Sequence, residues 1–320
     1  MSRALALGLA LLLAGCVGWT TESPAPIELT APGTWTVLAP MPTPRQEVAV
    51  AALEGRVWVI GGFGPSAEPV PTVEVYDPAT NTWQVRAPLP VALHHAAAAV
   101  VGTRLFVIGG YSGGRVRWTP EATVWEYDPA RETWVRRAPM PTPRGALAVA
   151  VLDGRIHAVG GSADRPSHAH EVYDPSEDRW RSANDVPTAR DHLTAVAYQG
   201  RLWTLGGRES FFGTQYANVE IYDPATDSWR TGPSLPAARG GLAAAVLGDR
   251  LYVFGGEAPF RIFNATEMYE PVGNRWLAKA PMPTPRHGMG AVALGGRIYV
   301  PGGGTRPGFA ASAANEAYAP

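Results

Sequence analysis

Five arginines stand just after Pro-rich segments: Arg45, Arg144, Arg190, Arg239 and Arg286. Each leads into a run of small, mostly apolar residues. A sixth segment of the same kind carries Leu93, followed by His94 and His95. Brought to one mouth, the guanidiniums would make a positive funnel. Such a funnel suits carboxylates, which arginine grips through two parallel hydrogen bonds. Arg45, His94, Arg144, Arg190, Arg239 and Arg286 are therefore candidate ligand-binding residues. The competing possibility is structural: the arginines would pair with neighbours such as Glu47 or Asp191.

A second candidate set lies in three variable segments and comprises Trp118, Arg208, Phe211, Phe212, Phe260 and Arg261. Aromatic rings with arginine on exposed loops are the composition of a recognition surface. Glu209 and Glu257 sit in the same segments and would serve as acid and base beside an arginine. His94-His95 and His168-Ala169-His170 raise the question of metal. No carboxylate or cysteine cluster accompanies them in sequence, so no metal is expected. Gly288-Met289-Gly290 fits a degenerate dinucleotide fingerprint, but no helix follows it, and no cofactor is expected. No catalytic residue is assignable from motifs.

These residues are held by a repeat. Gly-Gly pairs begin at Gly61, Gly109, Gly160, Gly206, Gly255 and Gly302. Trp35, Trp83, Trp134, Trp180, Trp229 and Trp276 keep the same five steps, and Tyr76 starts a third series that ends at Tyr318. Each unit reads as four strands. Strand a is the small-residue run, strand b ends in Gly-Gly, strand c carries the Tyr and strand d the Trp. Short Gly and Asp-Pro turns join a to b and c to d. The last unit stops at Pro320 without its Trp strand, while Trp35 precedes any Gly-Gly. The N-terminal segment should therefore supply the outer strand of the last unit and close a ring.

Composition agrees. Gly (36) and Pro (31) are abundant in 320 residues, as many turns require. A hydrophobic fraction of 46% permits a large core. The net charge of −1 gives no reason to expect nucleic acid. The single cysteine excludes internal disulfides.

The Gly-Gly, Tyr and Trp series at a period near 50 resembles the kelch repeat. The resemblance implies an all-β, six-bladed β-propeller over residues 32–320, with four-stranded antiparallel blades. Its d–a and b–c loops share one face, and both candidate sets fall there. Some kelch propellers are copper–radical oxidases that use a Tyr–Cys cross-link, for which this chain has no spare cysteine. Others are bacterial envelope proteins that interconvert sialic-acid anomers.

Residues 1–15 carry Arg3 and an apolar run that is too short to span a bilayer. Leu13-Ala14-Gly15-Cys16 resembles the lipobox of bacterial lipoproteins. That resemblance implies cleavage before Cys16 and lipid on it. Residues 16–31 then form a tether, and Val17 favours the outer membrane or cell surface. The expectation is a monomeric, lipid-anchored scaffold in the cell envelope that binds an envelope protein or an acidic glycan. The alternative is a mutarotase or epimerase acting on an acidic sugar such as sialic acid.

Overall fold

The structure is a computed structural model that describes residues 32–114 and 117–320. Cys16, the signal segment and the tether lie outside the described residues. No helix among the described residues is long and apolar enough to cross a membrane.

In the first repeat, strand a is Ala49–Leu53, strand b Arg56–Ile60, strand c Val73–Asp77 and strand d Thr82–Arg86. They pair antiparallel in that order. The described residues repeat this sheet six times, and the six inner strands contact one another around a closed ring. The protein is a six-bladed β-propeller. As the ends of the repeat require, Thr34–Val37 is the outer strand of blade 6, pairing Trp35 with Tyr318. Closure leaves the last blade no missing strand.

The repeated residues hold the blades by local rules. Each marker Trp stacks near the Tyr of strand c, as Trp83 does on Tyr76 at 5.2 Å between centroids. Its indole N–H donates to a carbonyl in the segment that leaves the outer strand of the preceding blade. Trp83 reaches Ala39 O at 2.9 Å, Trp134 reaches Ala87 O at 3.0 Å and Trp180 reaches Ala138 O at 2.9 Å. The Trp thus pins blade to blade as well as burying area. Inner strands are small because six of them crowd one axis.

Gly61 shows what the Gly-Gly pair does. Its φ is +61°, and a Cβ there would lie 2.4 Å from the backbone oxygen of Leu93 in the next blade. Gly61→Ala should therefore lower the unfolding free energy by about 2–4 kcal/mol, combining left-handed strain with overpacking. Denaturant melts of the variant would check this.

The five arginines do not line a funnel, which corrects the expectation for Arg45, Arg144, Arg190, Arg239 and Arg286 as ligand-binding residues. All five are 0% exposed. Each turns into its own blade and pairs with a strand-c glutamate. Arg45 meets Glu74 at 2.7 Å, Arg144 meets Glu171 at 2.8 Å and Arg286 meets Glu316 at 2.6 Å. Arg190 pairs with Glu220 and Arg239 with Glu267. The remaining donors go to backbone; Arg45 Nη1 reaches Val59 O at 3.2 Å, Gly61 O at 2.9 Å and Thr72 O at 3.0 Å. Burial pulls the guanidiniums of Arg45, Arg144 and Arg286 below their usual value, against the pull of their glutamates. Neither Glu47 nor Asp191 is their partner. Blade 2 lacks the pair altogether: Leu93 replaces the arginine and Trp125 the glutamate, and both belong to one apolar cluster.

Candidate functional site

The two residues after each buried arginine (after Leu93 in blade 2) build the centre of the d–a/b–c face. The second of them forms a ring around the axis: Glu47, His95, Ala146, His192, Gly241 and Gly288. Each backbone N–H donates to the carbonyl of the ring residue one blade back. Examples are His95 N to Glu47 O at 3.0 Å and Ala146 N to His95 O at 2.9 Å, and Glu47 N to Gly288 O at 2.6 Å closes the circuit. All six have positive φ, between +51° and +63°. Glycine suits that conformation and two blades use it. Glu47, His95 and His192 adopt it at a cost of about 1–2 kcal/mol each. Their side chains stand where the fold alone asks only for glycine.

The first residue after the arginine pairs with the residue after Gly-Gly: Gln46 with Phe63, His94 with Tyr111, Asp191 with Arg208, Gly240 with Glu257. These bridges extend strands a and b and set Arg208 and Glu257 beside the ring. A charged network results. Arg208 Nη1 donates to Glu257 Oε1 at 2.7 Å, and its Nε lies 3.6 Å from Asp191 Oδ1. His192 Nδ1 sits 2.7 Å from Asp191 Oδ1, and Arg208 Nη2 meets His192 Nε2 at 2.8 Å. In this geometry His192 donates from Nδ1 to Asp191 and accepts at Nε2 from Arg208. His287 Nδ1 lies 3.3 Å from Glu47 and 3.4 Å from Glu257. Burial pushes His287 down, but the two carboxylates outweigh it and the net shift is upward. Burial likewise pushes Glu47 up, and His95 and His287 reverse this to hold it well below the usual carboxylate range. His95 goes well below the usual imidazole value through burial, against Glu47.

Above this floor rises an aromatic wall. Phe63 stacks on His94 at 3.9 Å and meets the edge of Phe309 at 5.2 Å, while Trp118 lies 5.1 Å from His95. Wall and floor enclose a cavity of about 560 Å³. A smaller space of about 170 Å³ continues along the axis between the inner strands. Glu47, His95 and His192 line both and mark the junction.

Trp118, Arg208 and Phe211 line the cavity, together with the carboxylates Glu209 and Glu257. Arg208 is largely buried rather than displayed. Phe212 and Phe260 are outside the cavity, 73% and 87% exposed, with rings 6.1 Å apart. Arg261 lies over Phe263 at 4.4 Å, also outside. His94, placed in the funnel by the sequence, is 0% exposed between Phe63 and Tyr111 and does not reach the cavity; burial lowers it to about 3. Glu47, His95, Asp191, His192 and His287 were missed as site residues. Their signal was available: two blades follow the arginine with Gly-Ala or Gly-Gly, while the others substitute Gln-Glu, His-His, Asp-His and His-Gly.

Two stretches of this chain, residues 30–185 and 181–303, match the KLHDC2/KLHL20/DRC7 Kelch-repeats domain. The chain belongs to the kelch-repeat family. Among curated proteins it is similar to Kelch-like protein 35 of Mus musculus, at 34% identity over 128 residues. That match covers 40% of this chain and 21% of the relative, so the chain spans about a fifth of the relative's length. Among solved structures this kelch propeller resembles YjhT with a TM-score of 0.74 at 17% identity, over 88% of this chain and 96% of that one. At that identity the likeness concerns the fold.

Proposed function

We propose that this kelch propeller is a binding protein whose axial pocket takes a small polyhydroxylated ligand, a sugar or the end of a glycan. The observation that carries the reading is the cavity of about 560 Å³ with an aromatic wall facing a floor of buried hydrogen-bonding groups. Sugars present both an apolar C–H face and hydroxyls, and the volume lies in the range of small-ligand sites. The charge balance argues for a neutral rather than an acidic ligand. Glu47, Asp164, Asp191, Glu209 and Glu257 line the pocket against the guanidiniums of Arg165 and Arg208. Arg208 is already engaged by Glu257. The lipobox-like segment supports anchorage in a bacterial envelope through Cys16, with the pocket turned to envelope glycans or proteins.

The second reading is a mutarotase acting on an acidic sugar. It is favoured by Arg165, which is exposed on the pocket wall near Glu209 and Glu257. Anomer exchange needs one group to take a proton from the anomeric hydroxyl and another to give one to the ring oxygen. The two glutamates are suitable types, and Arg165 would take the substrate carboxylate.

Thermal shift of the purified full-length chain against neutral and acidic sugars tests both. A ligand at a hundred times its Kd adds about 2.7 kcal/mol of stability, which is several degrees for a domain of this size. Neutral members are expected to stabilise, and Trp118→Ala should abolish the shift while leaving the unliganded melt nearly unchanged. Stabilisation by acidic members alone, lost in Arg165→Ala, would favour the second reading and call for an NMR anomer-exchange assay. No shift at millimolar concentration from any member would overturn the sugar site.

A further inference from the structure

We infer that Glu47, His95 and His192 form a binding site for a divalent first-row metal ion at the floor of the axial pocket, with zinc as the representative ion. The inference does not depend on what the pocket binds.

The sequence offered no carboxylate beside His94-His95, and the ring supplies one from another blade. One oxygen of Glu47 and one nitrogen each of His95 and His192 lie within 4.8 Å of one another. Glu47 Oε2 and His95 Nε2 are 3.4 Å apart. Two ligands of a tetrahedral ion with bonds of about 2.0–2.1 Å stand about 3.3–3.4 Å apart, so this pair needs no rearrangement. His192 must close in by up to about 1.4 Å, from a separation of at most 4.8 Å. Two imidazoles and one carboxylate are a recurring donor set for catalytic zinc and for non-haem iron.

Two further observations point to a ligand. All three donors sit at positive-φ positions that the propeller fills with Gly in blades 5 and 6, so three of the four strained non-Gly ring positions, all but Ala146, present a donor. The histidines are also held from behind. Asp191 takes the Nδ1 proton of His192 at 2.7 Å, as outer carboxylates do for metal-bound histidines. His95 Nδ1 is held by His94 Nδ1 at 2.5 Å, which leaves Nε2 facing Glu47. His192 Nε2 now accepts from Arg208 at 2.8 Å. The ion takes that lone pair, and the guanidinium retains Glu257 at 2.7 Å. The remaining coordination positions face the cavity, where a water or a ligand hydroxyl would complete the shell.

The test uses chelator-treated full-length protein and zinc alone, followed by calorimetry, with cobalt substitution read by its visible absorption. One equivalent should bind, and cobalt should show tetrahedral or five-coordinate bands. His95→Gly and His192→Gly remove a donor and relieve the positive φ. Each is expected to weaken zinc binding by about 100-fold or more while melting no lower than the parent without metal. Glu47→Gln should weaken it similarly. His168→Ala, at an exposed histidine away from the ring, should change nothing. No binding at 100 µM zinc, or binding that survives in both glycine variants, would overturn the site.

Discussion

Arg190→Ala is expected to destabilise the propeller by about 3–5 kcal/mol, the largest effect of any single change considered. The guanidinium is 0% exposed and is held by Glu220, by Gly206 O at 2.7 Å and by Thr204 Oγ1 at 2.9 Å. Truncation leaves a buried carboxylate with one remaining side-chain donor, Thr188 Oγ1 at 2.6 Å. It also strips donors from backbone carbonyls that water cannot reach. The protein itself supplies the compensating change. Blade 2 has Leu93 and Trp125 at the equivalent positions. Arg190→Leu combined with Glu220→Trp should therefore recover most of the loss, because a well-packed apolar pair often replaces a buried ion pair at no net cost. Urea melts of the parent, the single and the double variants decide it. A single-variant loss under about 1 kcal/mol would show that the pair is not held away from water. For the same reason Arg190→Ala reports on the blade and is unsuitable as a probe of ligand binding.

The second large effect is a loss of stability in acid that comes from blade 3. His157 and His170 face each other across strands Arg155–Val159 and His170–Asp174, with Nδ1 and Nε2 2.8 Å apart. They are 3% and 1% exposed, and His170 packs edge-on against Tyr222 of blade 4 at 4.5 Å. Burial lowers His157 to about 3 and His170 to about 4. A histidine with a depressed folded value takes up its proton first in the unfolded chain. Near pH 7 and above neither state is appreciably charged there, and no penalty arises. As pH falls through the unfolded value of about 6.5, the unfolded state gains protons that the folded state refuses, and stability is lost. Between pH 6.5 and 5 the expected loss is about 1.5 kcal/mol per histidine, or about 3 kcal/mol for the pair. Melts across that range should show the parent falling more steeply than His157→Leu/His170→Leu by about that amount. Parallel slopes would mean that the pair is protonated in the folded blade.

The two effects are separable. The arginine pairs report on single blades, whereas the histidine pair reports on the contact between blades 3 and 4. The histidine pair is away from the ring at the axis, so its acid response can be measured without disturbing the candidate site, whereas Arg190 directly precedes Asp191.

Much of the architecture was legible in the sequence, because each repeat solves the same local problems with the same residues. Gly61 meets a positive φ and a carbonyl in close approach, Trp83 needs a carbonyl just after the outer strand of the preceding blade, and Tyr76 needs a ring partner. Such needs recur with the period of the chain and reveal the number of blades. The missing Trp strand after Tyr318 and the early Trp35 even indicated how the ring closes. The buried ion pair was legible too, though unread: five arginines accompany five strand-c glutamates, and where Leu93 replaces one, Trp125 replaces the other.

What only the tertiary structure decided is where side chains go once the strands alternate and the ring closes. Arg45 and Glu47 are two residues apart, yet one turns into its blade and the other to the axis, since the inner strand starts with a positive-φ step at Glu47. The sequence placed the arginines at the mouth because they precede the innermost strand. The fold sends them inward, where the carbonyls of strand b and a strand-c carboxylate can satisfy them. The chemistry of the face passes instead to Glu47, His95 and His192. These lie 48 to 145 residues apart in the chain. Only a closed circuit of six backbone hydrogen bonds brings them within reach of one another.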